Sequence, residues 1–385
     1  MKYSCENEVL KITLDGNIDS SNADEVGKEL ETIRNENPAT SAILDFENVK
    51  YISSAGLRQI LKMRKQIKDL TLVNVSSEVY EIFSMTGFTD MMKVEKAYRE
   101  ISVEGCEKIG EGSNGIVYRI NPDTIIKVYK NPDAVEEIKN ERKLAKKALI
   151  LGINTAISYD IVKVGDKYGS VFEMINAKSL TKLIKADEAN QDHYIKIFAD
   201  LLKEVHGTLV PKGELPDAKE KALEWVDYLN GHIPEETHAK LKSLVEAVPK
   251  DDHLIHGDYH TNNVHYADGE AILIDMDTLS VGHPVFEFSS IYLAFVGYGE
   301  IDVNKVEYFL NIPYAKANYI WKKLLEYYFE GTGIDPQEVE DKAKVVGYAR
   351  MLRRTIKREP ENTALIDHSL KELIKYVDKA DTIVF

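Results

Sequence analysis

The sequence predicts two folded units of different class: an α/β domain over about the first hundred residues, then a two-lobed α+β domain. Three observations lead there. Short apolar strands alternate with amphipathic helices as far as about Met92, the pattern of a mostly parallel sheet covered by helices. A glycine-rich hairpin follows at about residues 108–130. Beyond Asp192 the chain reads as almost wholly helical, broken by one polar loop between Leu254 and Asp277.

The chain has 385 residues, 44% of them hydrophobic and 29% charged, which suits two or three compact units. It holds no apolar run of about 18 residues, so no membrane span is expected. The first residues, MKYSCENE, lack a signal-peptide core. Cys5 and Cys106 match no metal-ligand spacing, and a reduced, cytoplasmic protein is expected. Lys and Arg number 49 against 64 Asp and Glu, a net charge of -15. That balance excludes general nucleic-acid binding, which needs a basic field. It leaves nucleotide binding open, because a few lysines and a divalent ion neutralise phosphates locally.

Leu10 to Leu14 alternates as a half-buried strand and closes on Asp15-Gly16. Helix-start residues at Asp19 to Asn22 lead a helix to about Asn37. Ser41 to Phe46 and Thr71 to Val75 read as strands, and Ser53 onward and Glu78 to Met85 as amphipathic helices. The block DFENVKYISSAGLR (Asp45 to Arg58), preceded by GNIDS (Gly16 to Ser20), resembles the STAS domain of anti-sigma factor antagonists. The resemblance covers about residues 1–100. It implies a protein partner at the STAS surface and a phosphorylated serine at Ser54, although Ser53 stands where the family often has Asp. A phosphate there would meet the exposed N–H groups of a helix start. Ser53 and Ser54 read equally well as plain helix caps, each satisfying an orphan N–H for about 1 kcal/mol.

Gly110, Gly112 and Gly115 form GxGxxG, with Val117 two residues on. Such a motif fits a dinucleotide-binding turn only if a helix follows. Here IVYRI continues as a strand, turns at Asn121 to Asp123, and returns as TIIKVYK. A glycine-tipped hairpin over phosphates is therefore expected. Lys127 lies among apolar residues of the second strand and needs water or an anion. In the next helix Ala134, Ile138, Glu141, Ala145 and Ala148 make one inward stripe. Glu141 is its one charge, and a carboxylate facing a core needs a partner. Lys127 is the expected mate, with Glu137 as the alternative.

Tyr194 to Leu209, Pro216 to Leu229 and Pro234 to Val248 read as helices, with Trp225, Tyr228, Leu229 and His206 expected to be structural. In the loop from Leu254, Asp258 is placed to take a proton from an attacking group. Asn263 and Asp275 are oxygen donors for a hard cation, a division of labour suited to phosphoryl transfer. Asp277 reads as a turn cap or as help for a second metal. The tail from Val303 is helical, and its basic run RMLRRTIKR reads as a solvated face or as an attraction for an acidic acceptor.

HGDxHxxN, then IDxD and a GxP segment, resembles the aminoglycoside and choline phosphotransferase branch of the protein-kinase fold, over about Ser102 to Phe295. Gly257 stands where protein kinases usually carry an arginine, Asp275 is followed by Met-Asp rather than Phe-Gly, and no APE-like anchor follows. Glu287-Phe288-Ser289 stands where the family often has Asp-Leu-Ala, which weakens a role for Glu287. The implied fold is an α/β STAS-like domain plus an α+β protein-kinase-like two-lobed domain, at 1–100 and 101–385, with lobes at about 101–178 and 179–385. The resemblance implies ATP and Mg²⁺ as cofactors. Gly110, Gly112, Ser113, Gly115, Val117, Lys127 and Glu141 would serve the nucleotide phosphates. Phe172, Glu173 and Ile175 would serve the adenine, Asn263 and Asp275 the metal, and Asp258 catalysis. The implied activity is transfer of the γ-phosphate to a hydroxyl of a small molecule, with the STAS module regulating or docking. The alternative is a signalling protein whose kinase lobe phosphorylates Ser54 or a partner protein.

Overall fold

A computed structural model describes Met1 to Phe385 except Ser113. The chain divides into two compact units: Met1–Gly105 with Ile161–Gly169, and Cys106–Asp160 with Ser170–Phe385. The return of residues 161–169 to the first unit is a discontinuity that a linear reading of 1–100 and 101–385 does not contain.

In the first unit, β1 (Lys2–Glu6), β2 (Val9–Asp15), α1 (Ala23–Glu36), β3 (Ser41–Asn48), α2 (Ser54–Gln66), β4 (Asp69–Val75), α3 (Ser77–Met85), α4 (Phe88–Met91), β5 (Lys93–Lys96) and β6 (Arg99–Glu100) follow in order. The sheet order is β1-β2-β3-β4-β5. The β1–β2 pair is antiparallel and the others are parallel. Alternation in β2 sends Leu10, Ile12 and Leu14 inward, where they meet Phe46, Ile60 and Phe83 in one core. β1 is exposed along its whole length, so it carries no burial signal that a sequence pattern could register. Ser53, with extended backbone, caps α2 through its hydroxyl, which accepts from Gly56 N–H at 3.4 Å. Ser54 is the first residue of the helix and is exposed. The pair of caps expected from sequence is thus one cap, Ser53.

The second unit begins with β7 (Glu107–Glu111), β8 (Gly115–Asn121), β9 (Thr124–Tyr129) and α5 (Val135–Ile150). β10 (Asp160–Val164) leads to β11 (Lys167–Glu173), and the second unit's part of the sheet runs β11-β9-β8-β7. After β12 (Lys178–Ser179) come α6 (Leu180–Ala186), α7 (Gln191–Gly207), α8 (Ala218–Tyr228) and α9 (Glu235–Glu246). The polar loop lies among β13 (Leu254–Ile255), β14 (Val264–Ala267), β15 (Glu270–Leu273) and β16 (Ser280–Val281). It is followed by α10 (Val285–Phe295), α11 (Val303–Leu310), α12 (Tyr314–Tyr328), α13 (Pro336–Arg358) and α14 (Thr363–Lys379). α10 is buried on nearly every side, and α13 packs against it and against α8 and α14. No helix among the described residues is long and apolar enough to cross a membrane.

Two sequence expectations change in this lobe. Tyr228 is 37% exposed rather than core. The run from Arg350 is not simply a solvated face, because α13 turns Arg350 inward against α8, over the ring of Trp225.

Candidate active site

The glycine hairpin has the geometry its sequence implies. Gly110 and Val117 face one another across β7 and β8, and Val117 faces Lys127 across β8 and β9. The ladder thus aligns the first glycine, the valine and the lysine. A Cβ on Gly115 would lie 2.7 Å from the Val128 carbonyl oxygen, so glycine is needed there for close strand approach. Above Gly112 a Cβ would meet nothing within 4 Å. Ser113, expected to help bind the nucleotide, lies outside the described residues.

Lys127 Nζ donates to both Glu141 carboxylate oxygens, at 3.0 and 3.1 Å, and to Asp275 Oδ1 at 3.2 Å. Tyr129 Oη donates to Glu141 Oε2 at 2.6 Å. Glu137 is held instead by Asn131 Nδ2, at 2.8 Å. The inward stripe of α5 explains the choice: Ile138, Ala145 and Ala148 bury, and their spacing carries Glu141 in with them. Burial works against the lysine's charge, but Asp275, Glu141 and Tyr129 outweigh it and hold its pKa well above the ordinary range.

At the end of β11, Met174 N–H is donated to the Asp123 carbonyl at 2.9 Å. Glu173 is the last residue of β11, and Ile175 follows just beyond the strand. Phe172 is half-buried beside them.

Asp258 sits in a loop whose backbone is bound from beneath. Glu287, fully buried on α10, accepts from His256 N–H at 2.6 Å and from Gly257 N–H at 3.0 and 3.1 Å. Burial raises the Glu287 pKa, but His206, His256 and the Gly257 amide prevail and hold it below the usual range. The sequence comparison with Asp-Leu-Ala undervalues this residue. Glutamate is one methylene longer than aspartate and performs the anchoring from the same helix. Its signal was a lone carboxylate in the apolar run VFEFSSIYLAF.

His256 Nε2 lies 3.1 Å from the Ile274 carbonyl, and Asp258 N–H lies 3.3 Å from His256 Nδ1. Gly257 has φ +84°, and a Cβ there would stand 2.8 Å from the Thr278 carbonyl oxygen. Left-handed backbone and a crowded approach both require glycine.

His260 Nε2 lies 3.6 Å from Asp258 Oδ2. Partial burial pushes the Asp258 carboxyl up, but His260, His256 and Arg350 together hold it at about 2. Asn263 Nδ2 donates to the Asp258 carbonyl at 3.0 Å, which leaves its amide oxygen as a lone-pair donor. Asp275 takes a left-handed φ of +65°, a strained position for a non-glycine residue that re-aims its carboxylate. Asp277 accepts from Asn114 Nδ2 at 3.3 Å instead of capping the next turn. Its pKa is pushed up by burial and then by the Asp275 charge. Two adjacent carboxylates and an amide oxygen are a hard-oxygen donor set, and a divalent cation would relieve their repulsion. The residues present fit such an ion.

Residues 2–101 match the family described as STAS domain, and residues 105–312, more than half of the chain, match the phosphotransferase enzyme family. The N-terminal segment is 33% identical over 85 residues to a putative anti-sigma factor antagonist, BtrV, of Bordetella bronchiseptica. That match spans 21% of this chain and 72% of that protein. Among solved structures, the aminoglycoside phosphotransferase APH(4)-Ia in complex with AMP-PNP and hygromycin B aligns with TM-score 0.51 at 13% identity, over 73% of this chain and 98% of that one. The same enzyme with ADP and hygromycin B gives 0.50 at 12%, over 72% and 94%. At such identity the likeness establishes the fold. The chain is therefore a member of the phosphotransferase enzyme family, an enzyme of the aminoglycoside phosphotransferase-like type that carries a STAS domain at its N-terminus.

Proposed function

We propose that this enzyme transfers the γ-phosphate of ATP to a hydroxyl of a small molecule. The observation that carries the reading is the convergence of Lys127, Glu141 and Asp275 from three separate segments. A lysine so held has its charge aimed and its rotamers restricted, as phosphate positioning requires. Gly110, Gly112, Gly115 and Val117 line the approach to the phosphates. Phe172 would wall the base, and the backbone of Glu173 and Ile175 would meet its edge.

Asp258 accepts the proton of the acceptor hydroxyl. As the oxygen–phosphorus bond forms, the bond from the γ-phosphorus to the bridging oxygen breaks, and ADP leaves with that electron pair. Asn263 and Asp275 would hold Mg²⁺, which when bound neutralises charge on the phosphates. Asp258→Ala should lower kcat by about 10² to 10⁴, the usual contribution of a general base. ADP release measured with a panel of alcohols tests this, and an unchanged rate would refute the role of Asp258.

A second reading has its own support. Ser54 is exposed at the first turn of α2 while Ser53 does the capping, so its hydroxyl is available as an acceptor. In this reading the enzyme phosphorylates Ser54, or a protein partner, in an anti-sigma-factor-type switch. Phosphopeptide mapping after incubation with labelled ATP separates the two. Label on Ser54 that vanishes in Asp258→Ala favours the switch. Turnover that appears only when a small alcohol is added favours the first reading.

A further inference from the structure

Beside Asp258 the helical lobe gathers cations, of which Arg350 also acts on the Asp258 carboxyl. They come from two helices packed together, Lys221 on α8 and Arg350, Arg353 and Arg354 on α13. The Arg350 guanidinium lies 5.3 Å from the centre of the Trp225 ring and donates to Ser290 Oγ. The Arg353 guanidinium lies 5.6 Å from the centre of the Tyr228 ring, and its Nε is buried without a partner. Aromatic faces hold both guanidinium planes in place and leave N–H donors uncommitted.

The charges around this cluster lie near it without pairing to it. Lys221 feels the like charges of Arg350 and Arg353 and the opposite charges of Asp277 and Glu224. Arg350 faces Asp258, Tyr298 and Glu287, with Arg354 adding like charge. Of these carboxylates, Asp258 and Asp277 belong to the candidate reaction centre and Glu287 is occupied by two backbone amides, which leaves Glu224 near Lys221 and Glu359 near Arg354 as the remaining counter-charges. None of the four cations forms an ion pair with a carboxylate among the described residues. Cations gathered near carboxylates but paired with none of them still repel one another, and an anion placed among them reduces that cost. A polycation in the same place would add to it.

We propose that the acceptor is an alcohol bearing an anionic group, a carboxylate or a phosphate, held by Arg350, Arg353 and Lys221 against the Trp225 wall. The anionic group is the handle, and the hydroxyl is presented to Asp258. The proposal rests on the reading of Asp258 as the acceptor-facing base, and it excludes a polycationic acceptor such as an aminoglycoside.

Trp225 supplies a readout independent of catalysis, since the other tryptophan, Trp321, is buried and donates to Glu340 Oε2. The full-length protein with ADP and Mg²⁺ is titrated with glycerol 3-phosphate, glycerol and kanamycin while tryptophan emission is followed. Glycerol 3-phosphate should give a saturable change, and glycerol and kanamycin none. Lys221→Gln and Arg353→Gln should each raise its Kd about tenfold, equivalent to about 1.4 kcal/mol. Arg353→Lys should recover most of the affinity.

The proposal is overturned if glycerol 3-phosphate gives no saturable change up to about 50 mM, far above the millimolar range of a weak site. It is equally overturned if kanamycin binds more tightly, or if neither variant alters the Kd. ADP release is measured separately. Anion binding without phosphate transfer to any alcohol counts against the proposed reaction and leaves the anion site standing. Transfer to neutral or cationic alcohols alone overturns the anion site and leaves the reaction standing.

Discussion

At the scale of single residues, two carboxylates near the reaction centre differ in environment and in consequence. Asp258 is 42% exposed, with histidines on either side of it in sequence. Its carboxyl is held at about 2, below an unfolded-chain value of about 3.9. A depressed carboxyl contributes stability above the unfolded pKa and loses it as pH falls through the folded one. The difference in urea midpoint between wild type and Asp258→Asn should therefore stay constant from pH 8 to 5 and narrow below about pH 4. Glu287 is fully buried and committed to the amides of His256 and Gly257. Glu287→Gln keeps the shape but loses charge-assisted bonds, which are each worth about 1.5–3 kcal/mol. We expect a stability loss of that order by chemical denaturation, together with a fall in kcat as the Asp258 loop loosens.

At the scale of elements, α5 positions Glu141 on Lys127, which in the proposed reaction serves the nucleotide side. Its apolar residues dock the helix, and the docking carries Glu141 to Lys127. Removing one partner from a largely buried ion pair costs about 3–5 kcal/mol when the other is left uncompensated. Here Asp275 remains to hold the lysine, so Glu141→Gln should fall short of that loss. Its main effect should be on nucleotide use, with Lys127 drawn onto Asp275 and the KM for ATP rising about tenfold or more, roughly 1.4 kcal/mol. Steady-state kinetics at saturating acceptor would measure it, and an unchanged KM would show that Asp275 alone suffices. In the proposed acceptor site α13 would do the corresponding work, since it turns Arg350 inward over Trp225.

At the scale of the whole molecule, the described residues include two large, separate hydrophobic cores, one within residues 1–94 and one drawn from Leu144 to the C-terminus. Separate cores can unfold separately. Calorimetry should resolve two transitions, only one of which responds to nucleotide. ATP with Mg²⁺ at about 100 times its Kd should stabilise that transition by about 2.7 kcal/mol. EDTA should reduce the shift, because Asn263 and Asp275 would then lack the cation. A shift of both transitions together would indicate that nucleotide binding couples the units.

The sequence alone determined most of the order of elements and the glycine hairpin, and it marked Asp258, Asn263 and Asp275 as candidates. Those features depend on local periodicity and on backbone demands that few residue types meet, so they are written along the chain. The pairing of Lys127 with Glu141 was legible because a charge on an inward stripe must find a partner. The contribution of Glu287 was not, since its ligands are two backbone amides thirty residues away and amides leave no mark in a sequence. Nor could the exposed strand β1, the return of residues 161–169 to the first unit, or the inward turn of Arg350 be read in advance. Only tertiary structure decided whether RMLRRTIKR met water or the cleft, because an amphipathic helix with cations around its circumference acquires an inside only when its neighbours pack against it.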